Sequence, residues 1–286
     1  MHEILHHCVE DTVKILPFLF ITYLLMEFIE HKTSDKTKIM IRRAGKMGPL
    51  FGGLLGVIPQ CGFSAAAASF YSGRVITVGT LLAIFLSTSD EMLPILLSSQ
   101  VPLGMIAKIL AVKATVAVIA GYVIDFLFRK FNQRKIGVNI HELCMDEDCQ
   151  CDEENIFVSA LRHTINIAIF IFAATFLLNL VIHVIGEDNL GNIILNKPVI
   201  GQILSGIIGL IPNCAASVVI TTLYMEGAMG AGAMMSGLLV GAGIGVLVLF
   251  RTNKNFKENL KITGLLYVTG VLCGIIIELV GILNHI

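Results

Sequence analysis

Ile58-Pro59-Gln60-Cys61-Gly62-Phe63-Ser64 and Ile211-Pro212-Asn213-Cys214-Ala215-Ala216-Ser217 stand 153 positions apart, and each interrupts an apolar run with a proline, an amide and a cysteine. The same offset, without a gap, sets Gly53 against Gly206, Gly56 against Gly209 and Tyr71 against Tyr224. Further along it sets Lys108 against Lys261, Gly121 against Gly274 and Asp125 against Glu278. Glycine coincidences alone are weak in a chain with 27 glycines. The Pro-x-Cys match and the unbroken register from Gly53 to Asp125 make this an internal repeat.

The runs on either side of these motifs are long. Of the 286 residues, 55% are hydrophobic and 14% charged, where a soluble chain has about 25% charged. Mean hydropathy is +0.83. The charges gather in 31–46, 129–154 and 251–261. Between them lie apolar segments at 12–29, 48–72, 75–98, 103–128, 160–185, 199–224, 229–250 and 262–284, and crossing a bilayer as a helix takes about 20 residues. This predicts an all-α integral membrane protein. A net charge of −1 excludes a basic nucleic-acid binder. The acidic, His-rich start is not the n-region of a cleavable signal, so the first run is expected to remain as a span.

Basic residues orient the chain. Fourteen of the 20 Lys and Arg fall in 32–46, 129–135 and 251–261, which places these segments in the cytoplasm and both termini outside. Parity then requires an odd number of crossings between Lys46 and the start of the 103–128 run, although only two apolar segments lie there. Broken or re-entrant helices reconcile the count at three or five crossings per half. The first half enters from outside and the second from inside, so the two copies are expected to be inverted. The boundaries follow: a first repeat over 1–128, a Cys-rich acidic linker over 129–157, and a second repeat over 158–286. Inverted repeats with interrupted helices are a common build of secondary transporters, with substrate held near the midplane at the breaks.

Three places could carry chemistry. At the paired breaks, Pro59 and Pro212 free backbone carbonyls that in lipid need a partner. Gln60 and Asn213 offer amide oxygens, Cys61 and Cys214 thiols, and Ser64 and Ser217 hydroxyls. The plainer reading is a proline kink among small residues that pack helices together; duplication favours a site. Second, Ser87-Thr88-Ser89 leads into Asp90 and Glu91 within an apolar run. Each carboxylate would cost about 2.5–3.5 kcal/mol at the bilayer centre, so a purely structural role is disfavoured. The alternative is a short external loop with solvated acids. Third, His141, Cys144, Cys149 and Cys151 lie among seven carboxylates between the repeats. They could hold a metal on the reducing side, or belong to a disordered acidic linker. Lys113, inside the 103–128 run, either pairs with an intramembrane acid or snorkels outward. Asp125 and Glu278 read as interfacial, and Met234 and Met235 as core. No nucleotide-binding, dinucleotide or zincin motif is present.

PFLFITYLLMEFIEHK at 17–32 and IPQCGFSAAAASFYSGRVITVGTLLAIFLSTSDEMLPILL at 58–97 resemble the ten-helix heavy-metal exporters. Members of that family carry the names arsenic efflux protein and manganese transporter. The resemblance implies an inner-membrane permease of about ten helices that exports a metal. Ligand chemistry bears on the cargo: Asp90, Glu91, Gln60 and Asn213 form a hard set suited to Mn²⁺, with Cys61 and Cys214 a softer addition. The expected function is therefore secondary-active export of a divalent metal, manganese first, by alternating access. No resident cofactor is expected; the ion is cargo, with protons as a coupling ion and the acids as carriers. The partners are the lipid bilayer and the metal ion, with no nucleic acid, and a homodimer is one open oligomeric state. A permease for arsenite or organoarsenicals is the alternative. An intramembrane lipid enzyme ranks last, because neither polar stretch has the Arg or Lys that a phosphate would want.

Overall fold

A computed structural model describes residues 9, 12–13, 16–17, 20–21, 23–24, 47–57, 61–88, 92–128, 156–185, 199–281 and 283. Among these residues all regular structure is helical. The helices of the first half are α1 (Gly48–Leu55), α2 (Cys61–Ser72), α3 (Val78–Ser87), α4 (Met92–Ser98) and α5 (Leu103–Leu127). A long helix, α6 (Ile156–Ile185), follows. The second half has α7 (Ile200–Gly209), α8 (Cys214–Met225), α9 (Ala231–Val240), α10 (Gly245–Thr252) and α11 (Phe256–Val280). The sequence offset carries over to helix boundaries. Shifted by 153 positions, α2, α3 and α5 fall on α8, α9 and α11 end for end.

Four stretches among the described residues are long and apolar enough to cross a membrane: 78–98, 103–127, 231–252 and 256–280. The first and third are each divided in two, between α3 and α4 and between α9 and α10. Their surroundings differ from those of the unbroken pair. Over an 18-residue window, 89% of the residues in the 231–252 stretch are buried, against 22% in 103–127. Helices apolar all round belong in the interior, and α3 and α9 form it, with Leu81, Leu82, Phe85, Met234, Met235 and Leu239 sealed from outside. The long helices instead turn large apolar side chains outward. Ile119, Val123 and Phe126 on α5 are exposed, as are their counterparts Leu272, Ile276 and Leu279 on α11. An exposed apolar stripe of this kind suits lipid.

The two halves repeat their contacts. α3 packs against α1 and α5, and α9 packs in the same way against α7 and α11. The halves also reach across to each other: α2 lies on α10, α8 lies on α4, and α3 touches α9. Close approach at equivalent glycines makes this packing possible. A Cβ on Gly121 would stand 2.8 Å from the carbonyl oxygen of Gly79, and one on Gly274 2.6 Å from that of Gly232.

Helix starts show the same pairing. Thr77 caps α3 by accepting from the Thr80 N–H at 3.1 Å, and Asp125 on α5 accepts from the Gly79 N–H at 2.9 Å and from the Thr77 hydroxyl at 2.7 Å. Helix α9 begins at Gly230 with no capping side chain of its own. There Glu278 on α11 supplies the acceptor, to the Gly232 N–H. Asp125 and Glu278, read from sequence as interfacial, are thus long-range caps on the broken helices. Each satisfies an N–H left without an intrahelical partner. The last span also differs from its expected limits. α11 starts at Phe256 because Asn255 accepts from the Glu258 N–H, and it ends at Val280 because Gly281 adopts φ 66°. The apolar run had placed it at 262–284.

Candidate transport site

The interior helices stop inside the protein. Ser87, the last residue of α3, and Thr88, its C-cap, are 0% and 2% exposed. α9 ends at Val240, and 241–244 continue without helix before α10. The final carbonyls of a helix have no intrahelical donor and carry the negative end of its dipole. Both sets of carbonyls meet one cation. Lys113, on α5, is 0% exposed, and its ammonium donates to the Thr88 carbonyl and, at 2.9 Å, to the Leu238 carbonyl. Its complete burial rules out the snorkelling alternative. The ammonium is held by backbone oxygen from the ends of two equivalent helices, one in each half.

The hydroxyls expected to line the path lie around this point. Ser64 on α2 is fully buried; a Cβ on Gly245, at the start of α10, would stand 2.7 Å from that of Ser64 and 2.8 Å from the Phe85 ring. Ser217 on α8 faces the other break, its hydroxyl 3.6 Å from where a Cβ on Gly241 would be. The Ser87 hydroxyl abuts Gly56. Pro212 and Asn213 form the turn between α7 and α8, with Asn213 buried. Cys61 and Cys214 are the first residues of α2 and α8; their side chains are outside the described set. Pro59, Gln60, Ser89, Asp90 and Glu91 also lie outside the described residues, as do His141, Cys144, Cys149 and Cys151. Among the described residues no three His, Cys, Asp or Glu side chains group closely enough to hold a metal.

A second polar cluster was not singled out from the sequence. Glu258, 5% exposed on α11, accepts from the Tyr71 hydroxyl and pairs with Arg74 at 2.8 Å. The Arg74 guanidinium lies 5.4 Å over the Tyr71 ring. Burial works against the charge on Arg74, but the hydrogen bond and charge of Glu258 outweigh it and hold the guanidinium above its ordinary range. Beside this cluster the Ser72 and Thr252 hydroxyls bond at 2.6 Å. The repeat register held the available signal: Arg74 falls on Gly227 and Glu258 on Met105, so both charges are among the places where the halves disagree.

A membrane-embedded bundle whose paired, interrupted helices end on a common buried cation has the build of a transporter. The family comparison agrees: residues 1–158 and 152–285 match ArsP_2, described as "Putative, 10TM heavy-metal exporter". The chain belongs to this family. No curated protein matches the chain, and neither does any solved structure.

Proposed function

We propose that the protein is a secondary-active exporter of a divalent metal ion, manganese first, working by alternating access between two inverted repeats. The observation that carries this reading is the Lys113 ammonium held between the ends of α3 and α9. Main-chain carbonyl oxygens are hard ligands of the kind that suits an ion such as Mn²⁺. Asp90 and Glu91, which follow Thr88 directly but for Ser89, supply the negative charge that a divalent ion needs beside a fixed ammonium. Gln60, Asn213, Cys61 and Cys214 complete the ligand set, and the acids carry protons in exchange.

Contacts at the helix ends support the inversion. The start of α11 meets Arg74 through Glu258, while the end of α5 caps α3 just beyond Arg74 through Asp125. The start of α5 shares a cavity with Tyr224, and the end of α11 caps α9 through Glu278. These contacts support an arrangement with equivalent ends at opposite faces. The basic residues of 251–261 favour a cytoplasmic Arg74 face, and an inner membrane is the location this reading adopts.

One observation favours a softer cargo. Cys61 and Cys214 both open helices, and a helix N-terminus favours negative charge such as a thiolate. Arsenical export is therefore the second reading. The test is resistance to manganese, zinc, arsenite and methylarsenite in a deletion strain carrying Asp90→Asn, Glu91→Gln, Cys61→Ser or Cys214→Ser at matched membrane levels. A divalent exporter loses manganese resistance in at least one acid variant and keeps part of it in the cysteine variants. An arsenical exporter shows the reverse order. Wild-type resistance to every metal in all four would overturn both readings.

A further inference from the structure

The repeat makes the two ends of the molecule comparable side chain by side chain, and they differ. A cavity of about 360 Å³ opens beside Tyr224, lined among others by Ser99, Gln100, Met105 and Met225. Under the 153-position offset, Tyr224 falls on Tyr71, Met225 on Ser72, Ser99 on Thr252, Gln100 on Asn253 and Met105 on Glu258. At that second end the counterparts bond to one another. Tyr71 donates to Glu258 and Ser72 bonds to Thr252 at 2.6 Å, while the Asn253 amide is engaged within its own half by Asn259 at 2.6 Å. Exposure follows the same division: Met225 is 38% exposed and Ser72 8%. One set of equivalent residues lines open space, and the other is zipped shut.

Arg74 makes the closed end specific. The turn after α8 uses Gly227 at φ 72°, and the turn after α2 takes the same left-handed conformation with Arg74 at φ 59°. Glycine adopts that conformation freely and arginine at a cost. The guanidinium repays this through Glu258, 184 residues away in the other half of the chain. Gln100, beside the open cavity, also adopts φ 56°, so what distinguishes the closed end is the long-range ion pair and not the backbone.

We propose that the Tyr71–Arg74–Glu258 cluster is a gate closing one mouth of the substrate path, and that the cavity beside Tyr224 is the equivalent mouth, open. The gate joins α2 to α11, one helix from each half, so opening it requires the halves to move relative to each other. On the orientation proposed above, the closed mouth is cytoplasmic and the open one external. The inference rests on the transport reading for its purpose, while its test uses no substrate.

One cysteine at a time is added to the full-length protein in lipid vesicles, at Met225→Cys for the open mouth and Ser72→Cys for the closed one, with labelling at that site resolved from the seven native cysteines by peptide mass spectrometry. Reaction with a small maleimide is followed with and without Glu258→Gln. Met225→Cys should react quickly and Ser72→Cys slowly in the parent. Glu258→Gln should raise the Ser72→Cys rate and lower the Met225→Cys rate, each by roughly tenfold, a shift within the usual coupling range of contacting residues. The exchanged pair Arg74→Glu with Glu258→Arg should restore both parent rates. Gln100→Cys and Thr252→Cys provide the same comparison should either first cysteine prevent folding. Unchanged rates, or a rise at both mouths together, would overturn the gate. Reciprocal rates in a protein that moves no metal would leave the gate standing and reject the transport reading.

Discussion

Replacing Lys113 by methionine separates the two roles a buried ammonium can have. The side chain is fully enclosed and donates to carbonyls at the ends of α3 and α9. Methionine keeps most of the stem and removes the charge. At least two hydrogen bonds to a charged donor are lost, each worth about 1.5–3 kcal/mol. Against this, the ion no longer has to be stripped of water, a penalty of several kcal/mol in a protein interior. The two terms nearly cancel, so the net change in stability should fall within about 2 kcal/mol of zero. Lys113→Ala adds a cavity and should cost about 2–5 kcal/mol more. Transport follows a different rule, because without the ammonium the two helix ends lose the group that bridges them. Export by Lys113→Met should drop at least tenfold, and Lys113→Arg should not rescue it, since a planar guanidinium does not replace a point donor. Thermal unfolding in detergent reads the first effect, and metal flux in vesicles reads the second. Wild-type flux from a stably inserted Lys113→Met protein would refute the argument that this cation belongs to the path.

Other consequences concern the repeat and the linker. Gly121→Leu and Gly274→Leu each force a side chain against a carbonyl of the neighbouring broken helix; both should destabilise by about 1–3 kcal/mol or more, read as lower thermal midpoints. Asp125→Asn and Glu278→Gln weaken the caps on α3 and α9, and each should cost about 1 kcal/mol; markedly unequal costs would argue against equivalent roles. Deleting 142–153, between the repeats, should leave export measurable while changing its dependence on cytosolic metal. Complete loss of flux from a stably expressed deletion would place that segment in the path.

Much of the architecture was readable because the repeat is written in residues that cannot be exchanged cheaply. Pro212 sits in the turn before α8, and Gly121 and Gly274 are fixed by backbone contact, so a single offset located helix boundaries in both halves. Limits set by polar side chains were harder to read: Asn255 starts α11 inside a charged segment that hydropathy assigns to a loop. Lys113 could be seen as anomalous, yet two of its acceptors are main-chain oxygens, and these carry no sequence signature. Asp125 and Glu278 were matched by register and read as acids near span ends, but their role as caps was not legible, because a cap supplied by a distant helix looks like any interfacial acid. Arg74 and Glu258 were passed over for a related reason. Each is ordinary in its own segment and becomes informative only when Gly227 and Met105 are set beside them.

The central claim is tested most directly by gradient-driven flux through the purified full-length protein in sealed vesicles. Manganese, zinc, arsenite and methylarsenite are supplied in turn, and a pH gradient is imposed in each direction. The account predicts saturable manganese movement that follows the gradient, reverses with it, and is lost with Asp90→Asn or Glu91→Gln. Flux of an arsenical without manganese, or no flux of any of the four under either gradient, would contradict it.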